Sequence, residues 1–198
     1  MPITRLNHAV LYVRDVERTR EFYENALGFK TITFAPGKAA FFQAPASTND
    51  HDLGTFQIGS GAGPSQAGRS TVGLYHLAWE VDTLDELDRL RGVLSERGAL
   101  VGATDHGTTK SLYAVDPDGN EFELAWIIPA HLLDDAARDA RMQLNQLDIA
   151  KEKARYGADT EGGVGISHHA SGERTINTGP SERSEDRLMR SPTEAAGT

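Results

Sequence analysis

The chain has 198 residues, 38% of them hydrophobic and 25% charged, which is enough apolar material for one core but not for a core that engages every residue. Twenty basic against 29 acidic residues leave a formal charge of −9, so no basic face for nucleic acid or for an anionic membrane is expected. There is no cysteine, which removes disulfides, thiolate metal sites and cysteine nucleophiles; with no apolar run of membrane-spanning length and no leader-like start, a cytoplasmic chain is expected.

In chain order, the periodicity predicts a strand over residues 5–13, a helix over 15–27, and strands over 29–34, 39–44 and 52–59. A Gly- and Ser-rich linker covers 59–73. The same order then repeats: strand 73–81, helix 83–97, strands 99–105, 110–116 and 120–127. Both helices carry one stripe, Val16, Thr19, Tyr23, Ala26 and Leu27 in the first and Leu84, Leu87, Leu90, Arg91 and Leu94 in the second. Gly28 and Gly98 stop them at matching places, and Asp116-Pro117-Asp118-Gly119 reads as a tight turn. Residues 129–156 read as a single further helix, with Leu133, Ala136, Ala137, Ala140, Leu144 and Leu147 at helical spacing. From Gly157 onward aromatic residues disappear and Gly, Ser, Thr, Glu and Arg dominate, so residues 157–198 are expected to be a disordered tail, with His168-His169 solvated in it. The fold class expected is α+β: paired βαβββ modules forming a cupped mixed sheet around a metal site, plus a C-terminal helix and the tail.

A helix on one face of each sheet leaves the other face free, and strand alternation says which residues point there. Ala9, Leu11 and Val13 form the helix-facing set of the first strand, which leaves Leu6, His8, Val10 and Tyr12 on the open side. Leu77, Trp79 and Val81 pack in the fifth strand and leave His76; Phe122, Leu124 and Trp126 pack in the last and leave Glu121 and Glu123. His8 and His76 hold matching places in the repeat. Two histidines and a carboxylate on one concave side match the facial arrangement of non-haem Fe(II) oxygenases, which leaves coordination positions open for substrate and O2. Two ordinary strand histidines and a solvated carboxylate are the alternative at this point.

Leu6-Asn7-His8-Ala9-Val10, Phe22-Tyr23-Glu24-Asn25-Ala26-Leu27-Gly28-Phe29, Tyr75-His76-Leu77-Ala78-Trp79 and Asp116-Pro117-Asp118-Gly119-Asn120-Glu121-Phe122-Glu123-Leu124 resemble the vicinal oxygen chelate superfamily. That superfamily includes glyoxalase I, bleomycin- and fosfomycin-resistance proteins and extradiol catechol dioxygenases. The resemblance spans residues 4 to about 128, with modules at 4–60 and 73–128. It is closest to the extradiol branch, and it implies Fe(II), or Mn(II), held by His8, His76 and Glu123. His51, in His51-Asp52-Leu53-Gly54-Thr55-Phe56, resembles the branch's acid–base histidine, and Tyr113 stands ten residues before Glu123 as a tyrosine of the branch does. His106 matches less closely and takes a lesser catalytic role. Val10, Tyr12, Phe41 and Phe42 are expected to shape the pocket.

The function so implied is extradiol cleavage of a catechol-type aromatic with O2, in aromatic catabolism, by a homodimer. Two alternatives stay open. One is a metal-dependent glyoxalase-type isomerase or lyase, whose fourth ligand comes from the last strand of the first half. Thr55 and Gln57 would face the cleft there if Phe56 and Ile58 pack on the helix. The other is a non-catalytic drug-binding protein of the bleomycin-resistance kind, which does not need the three ligands.

Overall fold

The computed structural model describes residues 2–3, 5–67, 70–141 and 143–163. The chain divides into two compact units, residues 1–66 with 115–120, and residues 67–114 with the described residues from 121 onward. Each unit contains one mixed sheet and a crossover helix, so the class is α+β and the two sheets repeat one plan.

In the first unit β1 (Ala9–Val13), α1 (Val16–Leu27), β2 (Lys30–Ala35), β3 (Ala39–Gln43) and β4 (Leu53–Gln57) build a sheet of order β1-β4-β3-β2. β1 runs parallel to β4, and the other pairs are antiparallel. The Asp15 side chain caps α1 by accepting from the Arg18 amide at 2.8 Å, and Gly28, at φ 72°, ends it in the left-handed region. The helix buries Val16, Thr19, Phe22, Tyr23, Ala26 and Leu27. Tyr23 stacks on Phe42 at 5.7 Å between ring centres. Phe42 is therefore core and not pocket, whereas Val10 and Tyr12 are exposed as the alternation requires. Also in this unit, Asp118 accepts from the Arg14 backbone amide at 2.9 Å and from the Arg14 and Arg18 guanidinium groups at 3.0 and 2.7 Å.

In the second unit β5 (His76–Glu80), α2 (Leu84–Glu96), β6 (Leu100–Asp105), β7 (Thr109–Val115) and β8 (Glu121–Ile127) give the order β5-β8-β7-β6, extended by β9 (Asn145–Gln146) at the β6 edge. β5 and β8 are parallel. Thr83 caps α2 by accepting from the Glu86 amide at 3.2 Å, and Leu84, Leu87, Leu90 and Leu94 form its buried stripe.

Residues 129–156 differ from the single helix that their periodicity predicts. A short 3-10 turn (Ala130–Leu132), α3 (Asp135–Asp139), β9 and α4 (Ile149–Tyr156) occupy this stretch. The reason lies in two aspartates that the apolar spacing hides. Asp134 accepts from the Ala137 amide at 2.8 Å and Asp148 from the Lys151 amide at 3.1 Å, so each starts a new helix. Between them the backbone pairs with β6, Gln146 with Thr104 and Asn145 with Asp105.

The first residues of the expected tail, 158–163, make hydrogen bonds with the second unit. The Ala158 carbonyl accepts from the Asp85 amide at 2.9 Å, the Thr160 carbonyl from the Trp126 indole at 3.1 Å, and the Gly163 amide donates to the Ile127 carbonyl at 3.1 Å. Gly162 runs so close to Trp126 that a Cβ there would collide with the indole. The rest of the expected tail, including His168 and His169, lies outside the described residues. Among the described residues no helix is long and apolar enough to cross a membrane.

Candidate functional site

Four of the six residues singled out in the sequence come together in the second unit. His76 opens β5 and sits in register with Glu121 of β8, and Ala78 sits in register with Glu123. Residues paired across a ladder share a sheet face, so both carboxylates fall on the side of His76. His76 Nε2 lies 3.2 Å from Glu123 Oε2. The Ser111 hydroxyl donates to the other oxygen, Oε1. Tyr113 packs edge-on to His76 at 5.7 Å between ring centres, and its hydroxyl shares a 2.8 Å hydrogen bond with His106 Nε2. His76 Nδ1 is buried without a hydrogen-bond partner among the described residues, with Glu121 Oε1 at 3.9 Å.

The electrostatics follow from this packing. The hydrogen bond to Glu123 raises the His76 pKa above its ordinary value, against the opposing effect of burial. Burial pushes the Glu123 carboxyl up, but the hydrogen bonds from His76 and Ser111 outweigh it and hold the group below the usual range. Burial, then the Glu123 charge, pushes the Tyr113 phenol far up, so it remains a hydrogen-bond donor at neutral pH.

The remaining two residues meet in the first unit. The His8 and His51 rings lie 4.5 Å apart, and Phe41 stands edge-on to His51 at 5.2 Å. Asp50 lies 2.8 Å from His51 Nδ1, and the Asn7 side-chain oxygen lies 2.8 Å from His8 Nδ1. Each contact occupies Nδ1 and leaves Nε2 for other work.

The expected orientation of β4 is corrected. Gln57 does not face the open side. Its Oε1 accepts from the Val16 amide at the start of α1, at 3.0 Å, and Thr55 is fully buried and donates to the Ala40 carbonyl. The parallel register explains this, because Thr55 pairs with Leu11 and Gln57 with Val13, the helix-facing members of β1. The open side of β4 therefore carries Gly54 and Phe56, which pair with Val10 and Tyr12.

An imidazole nitrogen and a carboxylate oxygen suit a first-row divalent cation. Two ligand atoms in adjacent positions around such an ion, each about 2.1 Å from it, stand about 3 Å apart. The 3.2 Å between His76 Nε2 and Glu123 Oε2 fits that spacing. Among the described residues no group of three or more His, Cys, Asp or Glu gathers within reach of one ion. His76 with Glu123 is a two-ligand pair, and His8 belongs to the other unit.

Sequence reasoning does not single out Ser111 or Asp50. Ser111 lies two residues before Tyr113, so alternation alone puts it on the same face. Asp50 has only its adjacency to His51 as a signal.

Comparison with known proteins agrees with this plan. Catechol-2,3-dioxygenase of Bacillus subtilis is 31% identical over 121 residues, which is 61% of this chain and 41% of that protein, so the match spans less than half of the dioxygenase. Virulence protein STM3117 of Salmonella typhimurium is 32% identical over 133 residues, covering 63% of this chain and 85% of its own. A glyoxylase/bleomycin resistance protein/dioxygenase domain from Frankia sp. EAN1pec superposes with a TM-score of 0.53 at 21% identity, over 63% of this chain and 92% of the other, a likeness of fold. The sequence pattern of one family spans residues 5–124, both βαβββ halves, and the chain therefore belongs to the Glyoxalase/Bleomycin resistance protein/Dioxygenase superfamily.

Proposed function

We propose that this chain is a non-haem Fe(II) extradiol dioxygenase that opens a catechol-type ring with O2, with His8, His76 and Glu123 holding the metal. The observation that carries the reading is the second unit's pairing of His76 with Glu123 beside the hydrogen-bonded His106–Tyr113 couple. The likeness to a catechol dioxygenase supports the aromatic substrate. The bound ion would supply Lewis acidity to the two catechol oxygens and a common site for both reactants.

The chain's own groups would do the rest. His51 has Asp50 on Nδ1, so its Nε2 is free to take a catechol proton and later return it. His106 Nε2–H, donating to the Tyr113 oxygen, would leave the phenol proton free to bond a substrate oxygen. Phe41 and Phe56, 5.8 Å apart between ring centres in the first unit, offer apolar surface to an aromatic ring. A glyoxalase-type isomerase would draw a fourth ligand from β4, whose open side carries Gly54 and Phe56 and no Glu or Gln.

The test is anaerobic purification, Fe(II) or Mn(II) loading, and O2 uptake with a panel of catechols. One O2 consumed per ring opened, with a hydroxymuconate semialdehyde or its analogue as product, is expected. Full metal loading with no O2 uptake, but isomerisation of a thiol hemithioacetal, would overturn the reading.

A further inference from the structure

We infer that Ser111 is a positioning residue that reserves one oxygen of Glu123, Oε2, for a divalent cation; this rests on the metal reading above. Glu123 projects from β8 with its side chain 13% exposed, and each oxygen has one neighbour. Oε2 faces His76 Nε2 at 3.2 Å, and Oε1 takes the Ser111 hydroxyl. A cation entering between Nε2 and Oε2 displaces only the proton shared there. It leaves the Ser111 bond intact, because that bond is on the far oxygen.

Ser111 itself is fully buried on β7. A buried hydroxyl without an acceptor is costly, and the charged Oε1 is a stronger acceptor than the neighbouring Tyr113 hydroxyl, so the O–H goes to Oε1. The Ser111 bond draws electron density from Oε1 and fixes the plane of the carboxylate, so binding through Oε2 alone is favoured over binding through both oxygens. A coordination position that two-oxygen binding would fill stays open for a reactant. Partners that orient a ligand in this manner typically alter metal affinity by about tenfold to a hundredfold.

The experiment compares wild type, Ser111→Ala and Ser111→Thr in Mn(II) titrations of the full chain, with circular dichroism as the check on folding. Bound Mn(II) is also read by water-proton relaxation, which reports how many exchangeable waters the ion keeps. Wild type should bind Mn(II). Ser111→Ala should fold, bind roughly tenfold to a hundredfold more weakly and hold fewer exchangeable waters. Ser111→Thr keeps the hydroxyl and should restore both readings. A merely structural serine would change neither the water count nor the difference between Ala and Thr. Wild type that binds no Mn(II) or Fe(II) overturns the metal reading itself. Wild type and Ser111→Ala with equal affinity and equal water count overturn the role of Ser111 and leave the metal reading standing.

Discussion

Gln57 closes β4 with its Oε1 on the Val16 amide, one of the donors that the first turn of a helix leaves unpaired. Gln57→Leu removes that acceptor and should cost about 0.5–2 kcal/mol in chemical denaturation, as loss of a helix cap does, with metal content unchanged. Metal lost from that variant would instead make Gln57 a ligand. His51 is the opposite case, a side chain ahead of β4 with one nitrogen held by Asp50 and the other without a hydrogen-bond partner among the described residues. His51→Phe should keep its metal and slow ring opening roughly 10²–10⁴-fold, the usual worth of a general acid–base. A variant that loses its metal would place His51 among the ligands. Phe41 and Phe42 make a related point about faces. Alternation separates the two, but only the stacking of Phe42 on Tyr23 decides which of them is core.

At the scale of elements, α4 is latched to α2 by Lys153, which pairs with Asp85 at 2.8 Å and Asp88 at 2.7 Å. The hydrogen bonds from Lys153, then Arg91, hold the Asp88 carboxyl below its ordinary range. A carboxyl lowered on folding adds stability above its unfolded pKa, and that stability is lost as pH falls through the folded value. Asp88→Asn should therefore lower the melting temperature at neutral pH, and the gap should close as the carboxyl protonates in strong acid. The pair is partly exposed, so the gap should not exceed about 1 kcal/mol. An equal gap at neutral and strongly acid pH would remove the ion pair as its cause. The two βαβββ units are legible in the sequence because Asp15, Thr83, Gly28 and Gly98 punctuate two clean apolar stripes. The phase of β4 is not legible. Phe56 and Ile58 look like core from their chemistry, and only the distant register with β1 turns Phe56 outward, while Ile58 is also exposed. Residues 129–156 mislead for a related reason, since apolar spacing hides the capping aspartates Asp134 and Asp148. At the candidate site the titratable residues are legible by type and face, whereas Ser111, without charge, is not.

For the chain as a whole, the stretch from Ala158 to Gly163 is structural although its composition resembles a tail. It supplies the acceptor for the buried Trp126 indole and closes hydrogen bonds with Asp82, Asp85 and Ile127. A chain ending at Gly157 leaves that indole donor unpaired, at a cost of about 1–3 kcal/mol. It should melt below a chain ending at Gly163, measured side by side. Equal melting temperatures would show that these contacts add nothing. The parallel pairing of β1 with β4 and of β5 with β8 has a kinetic consequence. The β2–β3 and β3–β4 ladders join strands close in sequence, but Ala9 must wait for Leu53, and His76 for Glu121. Closing such long loops is entropically slow, so β1 and β5 should be the last strands to dock during refolding. Each ends its own sheet, so the same strands should open ahead of the central ones in the native protein, and their amides should exchange with solvent ahead of those in β3 and β7. His76 rides on one of these late strands, so a cation binding it would slow exchange along β5 while leaving β3 unchanged.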